Sequence, residues 1–179
     1  MKLICIRHGE SDANVAGLCN ADPAARVGLT DLGRRQAAQA RERLRRLPIG
    51  RVHVSRLRRA QETAAILCGG HCADIRVDAR LDDRASGYEG RSVADYLAAM
   101  RAAPDPFRWK APGGESYLEM VARVRAFIAD LLADPVDVAL VVTHHEVLQA
   151  VAGHFGNLEP ALMWRIWVDH CETLEFEVG

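Results

Sequence analysis

Three observations predict an α/β fold, a three-layer α/β/α sandwich with a mostly parallel central sheet and a small helical insertion. Short apolar runs alternate along the chain with segments of helical periodicity. The run 138–142 (Val-Ala-Leu-Val-Val) contains no polar residue, as expected of a strand covered on both faces. That run and the first one, 3–6, each end abruptly at a histidine, the pattern of parallel strands whose carboxyl ends face a ligand. With 179 residues the chain can bury one full core, and it is short for two, so one domain over 1–179 is expected.

Each element follows in order. Residues 2–7 give a first strand, and 9–28 a polar loop. Thr30 caps a helix that runs to about Leu47, where Pro48 and Gly50 stop it. Residues 51–55 form a second strand, and 59–67 a second helix closed by Gly69-Gly70. Residues 75–77 give a third strand. Residues 82–116 are irregular, with a helix from Ser92 to Ala102 and a proline-rich turn through Pro104, Pro106 and Pro112, and a lid or substrate-selecting insertion is expected there. Ser116, with Glu119 three residues on, caps a helix whose stripe Leu118, Val121, Val124, Ile128 and Leu131 repeats at core-facing spacing. The buried strand then leads into a helix over about 146–155, and alternation at 164–168 and 174–178 predicts a terminal hairpin of two edge strands.

Composition excludes several classes of protein. Apolar residues make up 49% of the chain, charged residues 26%, and the net charge is −1, so no field points to a polyanionic partner. The arginines at 34, 35, 41, 43, 45 and 46 lie on one helix with no interleaved aromatics, which favours a solvated face over a nucleic-acid surface. Nowhere do 18 consecutive apolar residues occur, so no membrane partner is expected. The odd set of five cysteines without repeating spacing, and an N-terminus without a signal peptide's apolar core, lead to the expectation of reduced thiols in a cytoplasm.

Chemistry concentrates where strands end. Arg7-His8-Gly9-Glu10 places a guanidinium fork, an imidazole and a glycine side by side, which outlines a phosphate-handling site. Thr143-His144 ends the late buried strand in the same manner, so His8 and His144 are expected over one pocket. Ser55 to Ala64 follows a strand and opens a helix, and its Arg59 adds a charged fork near a helix N-terminus. The adjacent pair His144-His145 and the sequence His145-Glu146-Val147-Leu148-Gln149 lack metal-ligand spacing, so neither metal nor other cofactor is expected.

Taken together these segments resemble the histidine phosphatase superfamily, the group that includes phosphoglycerate mutases. Arg7-His8-Gly9-Glu10-Ser11 matches its RHG motif, with Asn14 where many members carry Asn. Leu29-Thr30-x-x-Gly33-x-x-Gln36-Ala37, Ser55-x-Leu57-x-Arg59-Ala60-x-x-Thr63-Ala64, Pro112-Gly113-Gly114-Glu115-Ser116 and Val141-Val142-Thr143-His144 follow in family order. The resemblance implies that His8 is a nucleophile forming a phosphohistidine, that Arg7, Arg59 and His144 hold the phosphoryl oxygens, and that Asn14 donates to phosphate. It places the general acid four residues before Gly87, at Asp83, where the family more often has Glu; Asp82 and Glu89 remain alternatives.

The expected function is a metal-independent phosphomonoester hydrolase. The alternatives are a phosphoglycerate mutase-type transfer and a catalytically idle phosphate-binding module on the same fold. The expected partner is a small phosphorylated metabolite, with a phosphoprotein open, and pocket walls are expected from 9–28 and 82–112, including Arg26, Tyr88, Arg91, Tyr96, Arg108 and Trp109. The sequence leaves the substrate and the oligomeric state open.

Overall fold

The computed structural model describes residues 1–69 and 74–179. Its strands are β1 (Lys2–Arg7), β2 (Arg51–Val54), β3 (Ile75–Val77), β4 (Val138–Thr143) and β5 (Thr173–Glu177). Its helices are α1 (Asp12–Ala16), α2 (Asp31–Leu44), α3 (Arg58–Cys68), α4 (Val93–Arg101), α5 (Tyr117–Ala133), α6 (His145–Phe155) and α7 (Pro160–Met163). They build one mixed sheet in the order β3-β2-β4-β1-β5, parallel except for β5, which pairs antiparallel with β1.

Strand alternation sorts the core into two sides. Ile4 and Ile6 of β1 pack with Val52, Val54, Leu140 and Val142 under α2 and α3, while Leu3, Cys5, Ala139 and Val141 pack under α5 and α6. Every residue of β4 is buried, which explains its unbroken apolar sequence. Each fully buried Ile, Leu or Val there contributes about 1.5–3 kcal/mol of transfer free energy.

The chain after β1 crosses to the α2 face, whereas the chain after β4 enters α6 on the opposite face. These neighbouring strands therefore part at their carboxyl ends and leave a crevice between them, the place where open α/β sheets collect ligands. Gly9 and Gly33 fix one wall. A Cβ on Gly9 would strike the Gly33 carbonyl, and one on Gly33 would strike the Glu10 carbonyl. The loop after β1 thus lies backbone to backbone on the first turn of α2. That packing, rather than approach to an anion, accounts for the glycine of the RHG motif here.

Several local expectations change. The 9–28 loop contains α1, held by a reciprocal cap between Ser11 and Asn14. The terminal hairpin does not form: β5 is a strand, but Trp164, Ile166 and Val168 lie in an irregular segment. Side chains take its carbonyls, because Gln149 Nε2 donates to Trp164 O (3.2 Å) and Ile166 O (2.9 Å) and Arg7 Nη1 donates to Val168 O (2.9 Å). Leu32, on the first turn of α2, is 43% exposed. Cys5, Cys19 and Cys171 are free thiols, but Cys68 is disulfide-bonded, against the expectation of five reduced cysteines. Gly70 and Cys72 lie outside the described residues. Among the described residues no helix is long and apolar enough to cross a membrane.

Candidate active site

Three parallel strands deliver the site. β1 hands over to His8, whose backbone N–H still pairs with Thr143 O (2.9 Å), and β4 hands over to His144, the N-cap of α6. The two imidazoles meet edge to face with centroids 4.9 Å apart. β2 hands over to Ser55, and α3 then brings Arg59 Nε to 3.1 Å from His8 Nε2. His8, Arg59 and His144 are all buried, at 2%, 3% and 0% exposure.

Hydrogen bonds fix the His8 tautomer. Nδ1 lies 2.7 Å from the Gly9 carbonyl, which can only accept, so Nδ1 carries the proton and Nε2 keeps its lone pair. Arg59 Nε–H donates to that lone pair at 3.1 Å. Burial, then the nearby Arg59 charge, holds the His8 pKa well below its ordinary value of 6.5, so the ring is neutral at pH 7. A neutral imidazole with its Nε2 lone pair directed at a guanidinium is a nucleophile facing an anion-binding group.

His144 is fixed with equal definition. Ser55 Oγ donates its single proton to Asp82 Oδ1 (2.9 Å) and accepts from Leu57 N–H (3.1 Å). His144 Nε2, 2.8 Å away, must therefore be the donor. Its other nitrogen, Nδ1, is buried and without a partner, 3.7 Å from Asp83 Oδ2. Burial and then Arg59 depress the His144 pKa well below 6.5.

The three candidate acids separate by their partners. Asp82 is 5% exposed and bonded to Ser55 and to Arg56 through its backbone N–H and its Nε. Glu89 accepts from Ala21 N–H (2.7 Å) and Ser86 Oγ (3.2 Å). Asp83 alone of the three reaches the histidine pair, with Oδ2 3.0 Å from Arg59 Nη2 and its side chain 32% exposed.

The remaining expected residues differ in placement. Arg7 spends one donor on Val168 O, lies 5.9 Å from the Trp167 ring centroid, and keeps a buried Nε without a partner, so it has donors in reserve. Asn14 Oδ1 accepts from Ser11 N–H (3.0 Å) and Ser11 Oγ–H (2.7 Å), closing the cap of α1, and the residue also lines the cavity beside Asp83. His145 turns away, toward Val168 O and the Trp167 ring.

Sequence reasoning gave no role to Ser55, Asn20, Arg84 or Glu146. Asn20 accepts from Arg59 Nη1 at 2.6 Å through its side chain and from Nη2 at 2.9 Å through its carbonyl. Only Ser55 lay within a recognisable motif. Among the described residues no group of three or more His, Cys, Asp or Glu side chains is disposed to hold a metal ion.

A cavity of about 220 Å³ opens beside Asp83, walled by the α1 segment, residues 83–97, Glu146 and Trp164. Both expected wall segments contribute, but of the six wall residues named from sequence Tyr96 alone lines it.

The fold gathers these buried groups into one candidate site at the switch point of an α/β sheet. A sequence profile of the histidine phosphatase superfamily (branch 1) matches residues 3–179, and the chain belongs to that family. It is 30% identical over 177 residues to the adenosylcobalamin/alpha-ribazole phosphatase of Salmonella typhimurium, covering 94% of this chain and 86% of that protein. It is 36% identical over 138 residues to the glucosyl-3-phosphoglycerate phosphatase of Mycobacterium tuberculosis, covering 74% of this chain and 60% of that longer protein. A putative alpha-ribazole-5'-P phosphatase from Escherichia coli superposes with a TM-score of 0.87 at 26% identity, over 100% of this chain and 91% of that one. The chain is accordingly an enzyme of the histidine phosphatase type.

Proposed function

We propose that this enzyme hydrolyses the phosphate monoester of a small metabolite through a phosphohistidine on His8 Nε2, without a metal ion. The observation that carries the reading is the locked tautomer of His8, with Nδ1–H on the Gly9 carbonyl and Nε2 turned to Arg59. A phosphoryl group reaching Nε2 breaks the Arg59–His8 hydrogen bond and takes the guanidinium onto its own oxygens. Arg7, with donors in reserve, joins the clamp, and His144, neutral in the empty site, completes it by taking the proton of a monoanionic phosphate ester at Nδ1. Three cations then stabilise the charge of the transferring group, as a metal ion does in other phosphoryl-transfer sites.

In the first step Nε2 attacks phosphorus, the ester P–O bond breaks, and Asp83 gives its proton to the leaving alkoxide. In the second, Asp83 takes a proton from water, the hydroxide oxygen bonds to phosphorus, and the P–N bond breaks to release phosphate and neutral His8. Asn14 reaches substrate from the cavity wall. Residues 82–116 act as the substrate-selecting insertion of one domain spanning 1–179, since they supply Asp83 and much of the cavity wall.

The test is turnover of p-nitrophenyl phosphate in EDTA, combined with rapid quenching and mapping of acid-labile phosphate. Turnover unaffected by EDTA with phosphate on His8 is the expected result. Strong inhibition by EDTA overturns the metal-free mechanism. Phosphate binding with no turnover of any ester identifies an idle module, and conversion of 3-phosphoglycerate to 2-phosphoglycerate identifies a mutase.

A further inference from the structure

The cavity beside Asp83 contains one cation among its described lining residues, Arg84, and that cation is already neutralised. Arg84 pairs with Glu146 through Nε and through Nη2 (2.9 Å), with its side chain 2% exposed. Its guanidinium lies 5.2, 5.6 and 5.7 Å from the ring centroids of Tyr96, Tyr117 and Trp164. Both nitrogens of its fork also point at Met100 Sδ, at 3.7 and 3.6 Å. Held in this box, Arg84 cannot swing out to meet a ligand without leaving Glu146 as an unpaired buried charge, which is costly.

What the cavity does offer is of another kind. Tyr96 lines it, is 5% exposed, and its buried hydroxyl has no partner. A buried hydroxyl left unpaired is rare in a native protein, so this one is free to bond a water or a ligand group in the cavity. Glu146 also lines the cavity, and its two oxygens retain lone pairs beyond those facing Arg84. The same lining includes Leu18, Val93, Leu97 and Trp164. The surface therefore combines an acceptor and a hydroxyl with apolar side chains.

We propose that the leaving group accepted here is an uncharged, hydroxyl-bearing ring alcohol, such as a sugar or the sugar of a nucleoside, and that alcohols carrying a second acid group are rejected. A ring hydroxyl donates to Glu146 and another pairs with the Tyr96 hydroxyl, while the C–H face of the ring lies against the apolar side chains. A carboxylate or second phosphate placed there loses its water beside the Glu146 carboxylate and finds no unpaired cation among the described lining residues. This inference rests on the phosphatase reading above and names the substrate class for that site.

The experiment compares kcat/KM for matched esters. Glycerol 3-phosphate and 3-phosphoglycerate share a carbon skeleton and differ in one carboxylate; ribose 5-phosphate adds the ring, and p-nitrophenyl phosphate reports the phosphate end. Glycerol 3-phosphate is expected to exceed 3-phosphoglycerate by at least about tenfold, because the added carboxylate loses water without gaining a partner cation. Ribose 5-phosphate is expected to exceed both. In Tyr96→Phe, which removes one oxygen and keeps the ring packing, the ratio of ribose 5-phosphate to p-nitrophenyl phosphate falls about five- to tenfold. Equal or better use of 3-phosphoglycerate, or an unchanged ratio in Tyr96→Phe, overturns the assignment while leaving the phosphatase reading intact. Failure to turn over all four esters overturns that reading and the assignment with it.

Discussion

The two ends of the site are built by different means. At the proposed phosphate end, His8, Arg59 and His144 follow directly from the ends of β1, β2 and β4; the Gly9 carbonyl holds His8, Ser55 holds His144, and Asn20 and Asp83 hold Arg59. At the leaving-group end the wall is assembled from α1, from residues 83–97 and from α6, and its central feature is a pair 62 residues apart, Arg84 and Glu146. Strand ends fix positions to within a hydrogen-bond length and suit a reaction common to all phosphate esters. A wall made of separate segments can change its chemistry without disturbing the sheet, and it suits selection among alcohols.

The comparison breaks first if His8 is dispensable. His8→Ala is expected to lower kcat for every ester by about 1,000-fold or more, since it removes the ring nitrogen that faces Arg59 Nε. Retained activity with an aryl ester, measured in single-turnover kinetics, removes the covalent mechanism. Asp83→Asn is expected to separate the two ends. Alkyl esters, whose leaving oxygens need a proton, fall about 100-fold or more, while p-nitrophenyl phosphate changes far less. An equal loss for both classes assigns the proton transfer to another residue.

How much of this was legible in sequence follows the same division. The phosphate end was legible because a strand that stops at a histidine, and a helix that opens on an arginine, leave a local mark. The order of these segments along the chain then matched one family. The leaving-group end left no such mark. Asn20 meets Arg59 39 residues away, and nothing in the loop around it distinguishes that asparagine from a turn residue. α1 is five residues long, too short for periodicity, and only Ser11 with Asn14 at capping distance signals it. The false hairpin shows the reverse error. Trp164, Ile166 and Val168 alternate as a strand does, but Trp164 packs on the Tyr117 ring (5.2 Å), and Gln149 and Arg7 hold the segment's carbonyls. Alternation reports burial on one side, and it does not report where the backbone bonds go.

Ser55 sharpens the phosphate end further. Ser55→Ala leaves Asp82 and the His144 Nε2–H without their shared partner, at a cost of about 1–3 kcal/mol in stability. Ser55 touches no reacting atom, so it acts by positioning His144. Its loss is expected to reduce kcat about tenfold for alkyl and aryl esters alike and to shift the acid limb of the kcat profile. A lowered Tm with an unchanged pH profile assigns Ser55 a structural role only.

The smallest expected effect is on stability. His8 and His144 both have pKa values depressed below 6.5, chiefly by burial and then by Arg59, whereas in the unfolded chain both return to the ordinary value. Below about pH 6.5 the unfolded chain takes up protons that the folded site refuses, so the folded state loses stability as pH falls. For two such groups the loss from pH 6.5 to 5.5 is roughly 2 kcal/mol, which lowers Tm by a few degrees. His8→Asn removes one of the two and should halve their share of this slope, while other depressed histidines, among them His53 and His145, add a constant part in both proteins. The leaving-group end responds with the opposite sign: burial pushes the Glu146 carboxyl up against the opposing pull of Arg84, so its contribution is present at low pH and is lost as pH rises. Glu146→Gln therefore leaves the acid-side loss of Tm in place, and His8→Asn relieves it. Equal slopes in wild type and His8→Asn would show that the buried histidines of the phosphate end do not carry the pH dependence.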